Sequence, residues 1–222
     1  EYRTMNPSYE AEILRTFADF VDRGLIYRSK KPIYWSIPCA TALAEAEIEY
    51  QDHVSPSIYV PFRIKEDLGT SMVIWTTTPW TLPANMAVAV HPREQYSKLK
   101  VGREHYWVGE SLIGQFTEVC KFENFEIVDT QEGSSLVGKE CIHPFIDRSS
   151  PILSAEYVTM DSGTGCVHIA PGHGLDDYLT GLENGIEVYC PLDDKGCYVA
   201  DGSIPEELTG LSVLERSNGC AA

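Results

Sequence analysis

The stretch between about residues 55 and 130 leaves the fold least freedom. Six short runs lie there: SIYVPFRI (57–64), SMVIWTTT (71–78), MAVAVHP (86–92), YSKLKVG (96–102), EHYWVG (104–109) and FEIVDT (125–130). They are rich in β-branched and aromatic residues and are parted by turn residues. Such side chains suit a pleated, half-buried surface, and strand-plus-turn spacing of this kind builds sheets rather than helical bundles. GTGCVHIAP (163–171) is a further strand, entered by glycine and ended by proline. The pattern predicts an α+β chain: a compact, β-barrel-like mixed sheet with a few peripheral helices.

The helices are sparse. Tyr9, Ile13, Phe17, Phe20 and Val21 recur at three- and four-residue steps, which predicts an amphipathic helix over 7–25 that starts at Pro7-Ser8 and stops at Gly24. DDYLTGLENG (176–185) predicts a short helix with Asp176 or Asp177 at its start and Gly185 at its end. IYRSKKPIYWSIP (26–38) is expected to be extended, its prolines limiting it to edge or loop positions. TALAEAEIEY (41–50) favours a helix by propensity, with an extended connector as the alternative. The organisation expected is a helix and connector over 1–54, a core over 55–200 and a return connector over 201–222.

Charge narrows the function. Seventeen Lys+Arg stand against 33 Asp+Glu, a net charge of −16, which disfavours a nucleic-acid coat or a polybasic membrane binder. The excess concentrates after residue 150, where 12 acids face only 2 basic residues. No apolar run approaches the roughly 18 residues of a membrane span, so no membrane partner is expected. The seven cysteines are widely spaced with no C-x-x-C pair, which fits a reducing, cytoplasmic setting and buried thiols. The start lacks both Met and a charged-then-apolar leader. A piece of a longer protein without a secretory signal is therefore expected.

Two stretches carry chemistry. In WTTTPWTLPAN (75–85), three threonines close an apolar strand before Pro79. Strand alternation would put Thr76 and Thr78 on one face and Thr77 on the other, with hydroxyls able to hold a water or a polarised carbonyl. The same run is also what an ordinary strand would carry, and Asn85 alone reads as a turn residue. In GTGCVHIAPGHGLDDY (163–178), glycines and Pro171 gather His168, His173, Asp176 and Asp177. Glycines let backbone approach a ligand, and crowded titratable groups are common at functional sites, though a structural turn with a capping Asp fits as well. His168 and His173 lack the i, i+4 spacing of a helical zinc pair, so no metal is expected. Cys166 and His168 share a strand face, but no third group orients them as a nucleophile and base.

Together, WTTTPWTLPANMAVAVHP and GTGCVHIAPGHGLDDY resemble the editing insertion of isoleucyl-tRNA synthetases of the bacterial or organellar type. YRSKKPIYWSIPCATALAEAEIEY is similar to the segment leading into that insertion. Thr78-Pro79-Trp80 departs from the T-R-P-type continuation of the valyl and leucyl enzymes. The H-I-G-H and K-M-S-K-S nucleotide motifs are absent, so the resemblance implies no ATP or other cofactor for this part.

The resemblance implies hydrolysis of valine from the terminal ribose of isoleucine-specific tRNA. A missing methylene is worth only about 1–3 kcal/mol in a pocket, the isoleucine–valine pair being the standing example, so a second, smaller pocket is needed. Asp177 matches the aspartate that holds the substrate ammonium. His168 matches a histidine lining the pocket. Thr76, Thr77 and Thr78 match the threonines that meet the terminal adenosine and the hydrolytic water. Asn85 matches the family asparagine, and Trp75 and His173 match scaffolding positions. An Asp beside a cation is expected to be ionised, so activity should survive at neutral pH. The implied partners are the acceptor end of tRNA, valine as its ester and the rest of the synthetase, which would supply most phosphate contacts. Arg28, Lys30, Lys31, Lys98, Lys100 and Arg103 would mark the approach side. The alternative is a non-catalytic fragment that binds adenosine and valine and needs its parent for turnover.

Overall fold

A computed structural model describes residues 2–214. The end of the expected return connector, residues 215–222, lies outside the described residues. The chain divides into two compact units, one ending at Lys31 and one beginning at Pro32. Among the described residues no helix is long and apolar enough to cross a membrane.

The first unit is built on α1 (Pro7–Asp22). Its start follows from local chemistry: Pro7 opens the first turn, and the Asn6 side chain accepts the Ser8 N–H at 3.1 Å. Gly24 sits at φ 69°, the left-handed conformation that ends helices and that other residues resist. The apolar stripe read from the sequence, Tyr9, Ile13, Phe17 and Phe20, is exposed.

The second unit opens with a small hairpin, β1 (Trp35–Ser36) against β2 (Thr41–Ala42). A single 3-10 turn at Glu45–Glu47 follows. The 41–50 segment thus forms neither a full helix nor a plain connector. The main sheet contains β3 (Ile58–Ile64), β4 (Asp67–Thr76), β5 (Ala87–Val90), β6 (Gln95–Val101), β7 (Glu104–Gly109), β8 (Glu126–Glu132), β9 (Glu140–Ile142), β10 (Ser149–Ser154) and β11 (Cys166–Ile169). Its order is β11-β5-β10-β9-β3-β4-β7-β6-β8. Most pairs are antiparallel, but β4 with β7 and β5 with β10 run parallel, so the sheet is mixed.

The sheet curls without closing. β11 packs against β4 although four strands separate them in the order. Gly109 N–H donates to the Thr164 carbonyl at 2.7 Å, and the Tyr96 hydroxyl donates to the Gly165 carbonyl at 2.5 Å. Both bonds tie the β6–β7 side to the entry of β11. The terminal strands β11 and β8 share no ladder among the described residues, so the barrel-like form is an open curl.

Alternation fills both faces. Phe62, Met72, Ile74, Val88, Val90, Tyr96, Trp107, Cys141, Ile152 and Cys166 meet in one cluster drawn from eight strands. Their neighbours of opposite parity face outward. Val73, Leu99 and Val108 are covered by Ile113 and Phe116 of α2 (Ile113–Val119). Ala87, Ala89 and Ile169 form a third cluster with Leu153 and Val158. A fourth cluster packs Tyr198, Ile204 and Val213 with Ile37 and Trp80. The described part of 201–222 is therefore packed and not a bare connector. α3 (Leu175–Glu183) follows β11.

Tyr96 carries a testable share of this curl. Its side chain is fully buried, and its hydroxyl accepts the His91 N–H at 2.9 Å while donating to Gly165. Tyr96→Phe strands a half-buried donor and a buried acceptor, which costs about 1–3 kcal/mol. Urea denaturation should show a lower midpoint with an unchanged slope.

Candidate functional site

The site begins where β4 stops. Thr76 is its last residue. The Thr78 N–H turns back and donates to Thr76 Oγ1 at 3.0 Å, so the chain bends there and does not continue as a strand. The alternation expected for the three threonines is thereby overturned: Thr76, Thr77 and Thr78 all line one cavity. Beyond the bend, Pro79–Ala84 forms a 3-10 segment in which Thr81, Leu82, Pro83 and Ala84 are buried. Pro79 stands at its first turn, where a missing N–H costs nothing.

A buried segment without a ladder must find partners for its carbonyls. The Thr81 hydroxyl donates to the Thr78 carbonyl at 2.8 Å. The Tyr198 hydroxyl donates to the Trp80 carbonyl. His143 Nε2 meets the Leu82 carbonyl at 2.9 Å. Arg148 Nη1 donates to the carbonyls of Pro83 at 3.1 Å and Asn85 at 2.8 Å. Asn85 belongs to this same support. It is fully buried, donates through Nδ2 to the Ala87 carbonyl at 2.8 Å and accepts the Ser150 hydroxyl at 2.7 Å. The structure does not bring Asn85 to the cavity wall, because both ends of its amide are used in anchoring the start of β5.

The opposite wall comes from β11 and the turn after it. His168 pairs with Val88 in the ladder and lies 8% exposed. Its Nε2 is 3.1 Å from Thr81 Oγ1, so the two sequence stretches meet directly. Past Ala170 the chain folds into a tight turn, with the His173 N–H bonded to the Ala170 carbonyl at 2.9 Å. Gly172 is required here: a Cβ would fall 2.2 Å from the Tyr189 carbonyl oxygen. The His173 ring stands edge-on to Trp80 at 5.3 Å. On the other side, the Trp75 indole donates to Ser57 Oγ at 2.5 Å.

Asp177 is the third helical residue of α3, not its cap. The helix starts earlier than the sequence suggests, at Leu175, with Gly174 as the N-cap. The Asp177 carboxylate reaches back and accepts the Ala170 N–H at 3.0 Å, stapling the turn to the helix. Gly174 makes room, since a Cβ there would lie 2.8 Å from the carboxylate. The Tyr157 hydroxyl lies near this carboxyl and favours its charged form.

Trp75, Thr76, Thr77, Thr78, His168, His173 and Asp177 therefore line a single open cavity of about 440 Å³, together with Trp80, Thr81, Val167, Ala170 and Gly174. Burial pushes the Asp177 carboxyl up to about 6, Asp176 adding to the shift and the Ala170 amide and Tyr157 opposing it. Burial pushes His168 and His173 down to about 4, so both rings are neutral near pH 7. His168 Nδ1 and His173 Nε2 are buried with no hydrogen-bond partner among the described residues. Among the described residues the cavity thus offers one carboxylate, a cluster of hydroxyls and neutral imidazoles. That set can grip an ammonium and hold a water, but it contains no activated nucleophile. The Cys166 thiol is buried in the core beside Cys141, and burial pushes its pKa up. Among the described residues no group of three His, Cys, Asp or Glu could hold a metal ion.

Sequence reasoning missed Thr81, Tyr157, Arg148 and Tyr198. Thr81 carries a faint signal, as a fourth threonine three residues beyond Thr78. The other three act across long sequence separations and have no local pattern. Of the basic residues expected on the approach side, Lys98 is ion-paired with Asp67 at 3.1 Å.

Comparison with known proteins places this chain. The model for class I tRNA synthetases (I, L, M and V) matches residues 1–190. Over 216 residues the chain is 48% identical to the isoleucine–tRNA ligase of Petrotoga mobilis, covering 97% of this chain and 23% of that protein. Over 202 residues it is 50% identical to the isoleucine–tRNA ligase of Thermotoga maritima, covering 90% of this chain and 22% of that protein. The chain therefore spans less than a quarter of the length of these relatives. The editing domain of Plasmodium falciparum cytosolic leucyl-tRNA synthetase superposes with a TM-score of 0.43 and 17% identity, covering 49% of this chain and 44% of that one. The chain belongs to the class I tRNA synthetases of the isoleucine, leucine, methionine and valine group.

Proposed function

We propose that this chain is the hydrolytic editing domain of an isoleucine–tRNA ligase and removes valine esterified to the terminal ribose of isoleucine-specific tRNA. One observation carries the proposal: two stretches some ninety residues apart, ending in threonines and in Asp177, converge on one cavity that holds a single carboxylate among the described residues. An aminoacyl ester pairs an electrophilic carbonyl with an ammonium one carbon away. Asp177 binds that ammonium, Thr76–Thr78 meet the adenosine and steer water onto the carbonyl, and His168 bounds the space left for the side chain. The rate then comes from placing water and ester together, with no covalent intermediate and no cofactor. The partners are the acceptor end of the tRNA and the rest of the synthetase. At a net charge of −16 the domain meets the last nucleotides only, and other parts of the enzyme supply the phosphate contacts.

The direct test is to incubate this chain with isoleucine-specific tRNA charged with valine and follow deacylation. Acceleration over buffer is expected, and its absence would favour a fragment that binds without turnover. Asp177→Asn keeps an acceptor for the Ala170 amide and removes the charge, so it should fold normally. It should lower kcat/KM by about 30-fold or more, the equivalent of ~2 kcal/mol for one lost charge pair.

The pH profile carries the same signature. Below about pH 6 the free enzyme's Asp177 takes up a proton and loses its hold on the ammonium, whereas the histidines titrate only near 4. The profile of kcat/KM should fall by about tenfold per pH unit below pH 6, and Asp177→Asn should abolish that limb. His168→Ala enlarges the side-chain space and should begin to strip isoleucine from its own tRNA. Unchanged rates on both esters would remove His168 from the site.

A further inference from the structure

The contact between Thr81 and His168 contains more information than its distance. Thr81 Oγ1 has one proton. The Thr78 carbonyl, 2.8 Å away, can only accept, so that proton is committed to it. Toward His168 Nε2, at 3.1 Å, the same oxygen is left with lone pairs alone. The hydrogen of that bond must therefore come from the ring. A neutral imidazole carries one N–H, so Nδ1 is bare, and Nδ1 is the ring atom that is buried without a partner.

We infer that Thr81 is a positioning residue that fixes His168 as its Nε2–H tautomer and leaves the buried Nδ1 as the ring's one acceptor. One hydroxyl thereby holds the ring in a single orientation, which keeps the part of the cavity wall that His168 forms in one shape. The main-chain path supports the role of Thr81, because it sits inside the 3-10 segment whose carbonyls are held by His143, Arg148 and Tyr198. This inference deepens the editing proposal, but its main test needs no substrate.

The test is two-dimensional ¹⁵N–¹H correlation of the ring nitrogens at pH 7, on this chain. In the unaltered protein, His168 Nε2 should resonate in the pyrrole-like range and Nδ1 in the pyridine-like range. Thr81→Ser keeps the hydroxyl and should keep that pattern. Thr81→Val and Thr81→Ala remove it and should move both nitrogens toward the averaged values of a tautomer mixture. His143 reports on folding in each variant, because backbone groups fix it from both sides: Nδ1 accepts the Ile146 N–H at 3.1 Å and Nε2 meets the Leu82 carbonyl. An Nδ1–H pattern for His168 in the unaltered protein overturns the inference, whether or not any variant folds. So does an unchanged His168 pattern in Thr81→Val or Thr81→Ala with His143 intact.

Binding of a non-hydrolysable valyl-adenosine amide gives a second arm. It should weaken in Thr81→Val and recover in Thr81→Ser, and equal affinity in all three proteins counts against the inference. If the unaltered chain hydrolyses no ester, the editing proposal falls while the tautomer pattern still decides the role of Thr81.

Discussion

A short buried 3-10 segment closes few hydrogen bonds of its own, so its other carbonyl groups must be met one by one, and Pro79–Ala84 lives under that rule. The segment cannot use a ladder, because β4 has ended, and two of its six residues are prolines that donate nothing. Side chains of Thr81, His143, Arg148 and Tyr198 do the work that a sheet partner does elsewhere. Asn85 then anchors the exit into β5. The threonines at the mouth of the cavity and the histidine opposite owe their positions to this arrangement. An unmet carbonyl at that depth costs about 1–3 kcal/mol, so the segment is held in one shape.

The electrostatics follow from the same depth. Among the described residues Asp177 is the only acid on the cavity wall, and burial makes its ionisation harder while the Ala170 amide and Tyr157 make it easier. The histidines stay neutral because burial opposes their charge. A cationic histidine would compete for the carboxylate. Neutral rings leave it to whatever cation enters. The acid excess over the rest of the chain repels phosphate at longer range, so attraction here is local and is confined to the cavity.

Much of the sheet was legible in the chain. β3 to β8 and β11 announced themselves because alternating β-branched and aromatic residues fit a pleated surface and little else. β9 and β10 did not. One is three residues long and the other is SSPILS, with a serine pair and a proline, so neither carries the pattern. α2 is a seven-residue helix, too short for its period to stand out. At the site, the residue types and their grouping could be read, which is why seven of the eight named side chains meet at one cavity. Their geometry could not. The bend after Thr76 depends on a hydroxyl accepting a backbone N–H two residues on, and strand alternation does not foresee it. Asn85 looked like a site residue by its place in a motif, but what it touches is decided by Ser150 and Ala87. Contacts such as Tyr198 to Trp80 span 118 positions and leave no local trace.

That last contact has a bearing on how the domain can be cut. A chain ended between residues 184 and 197 would retain the whole main sheet, the threonines, both histidines and α3 with its aspartate. It would also lack the phenol that caps the Trp80 carbonyl and the packing of Ile204 and Val213 against that tryptophan. The cavity's inventory would be complete and its floor unsupported, so the smallest piece that keeps this cavity in shape is set by a residue outside its wall.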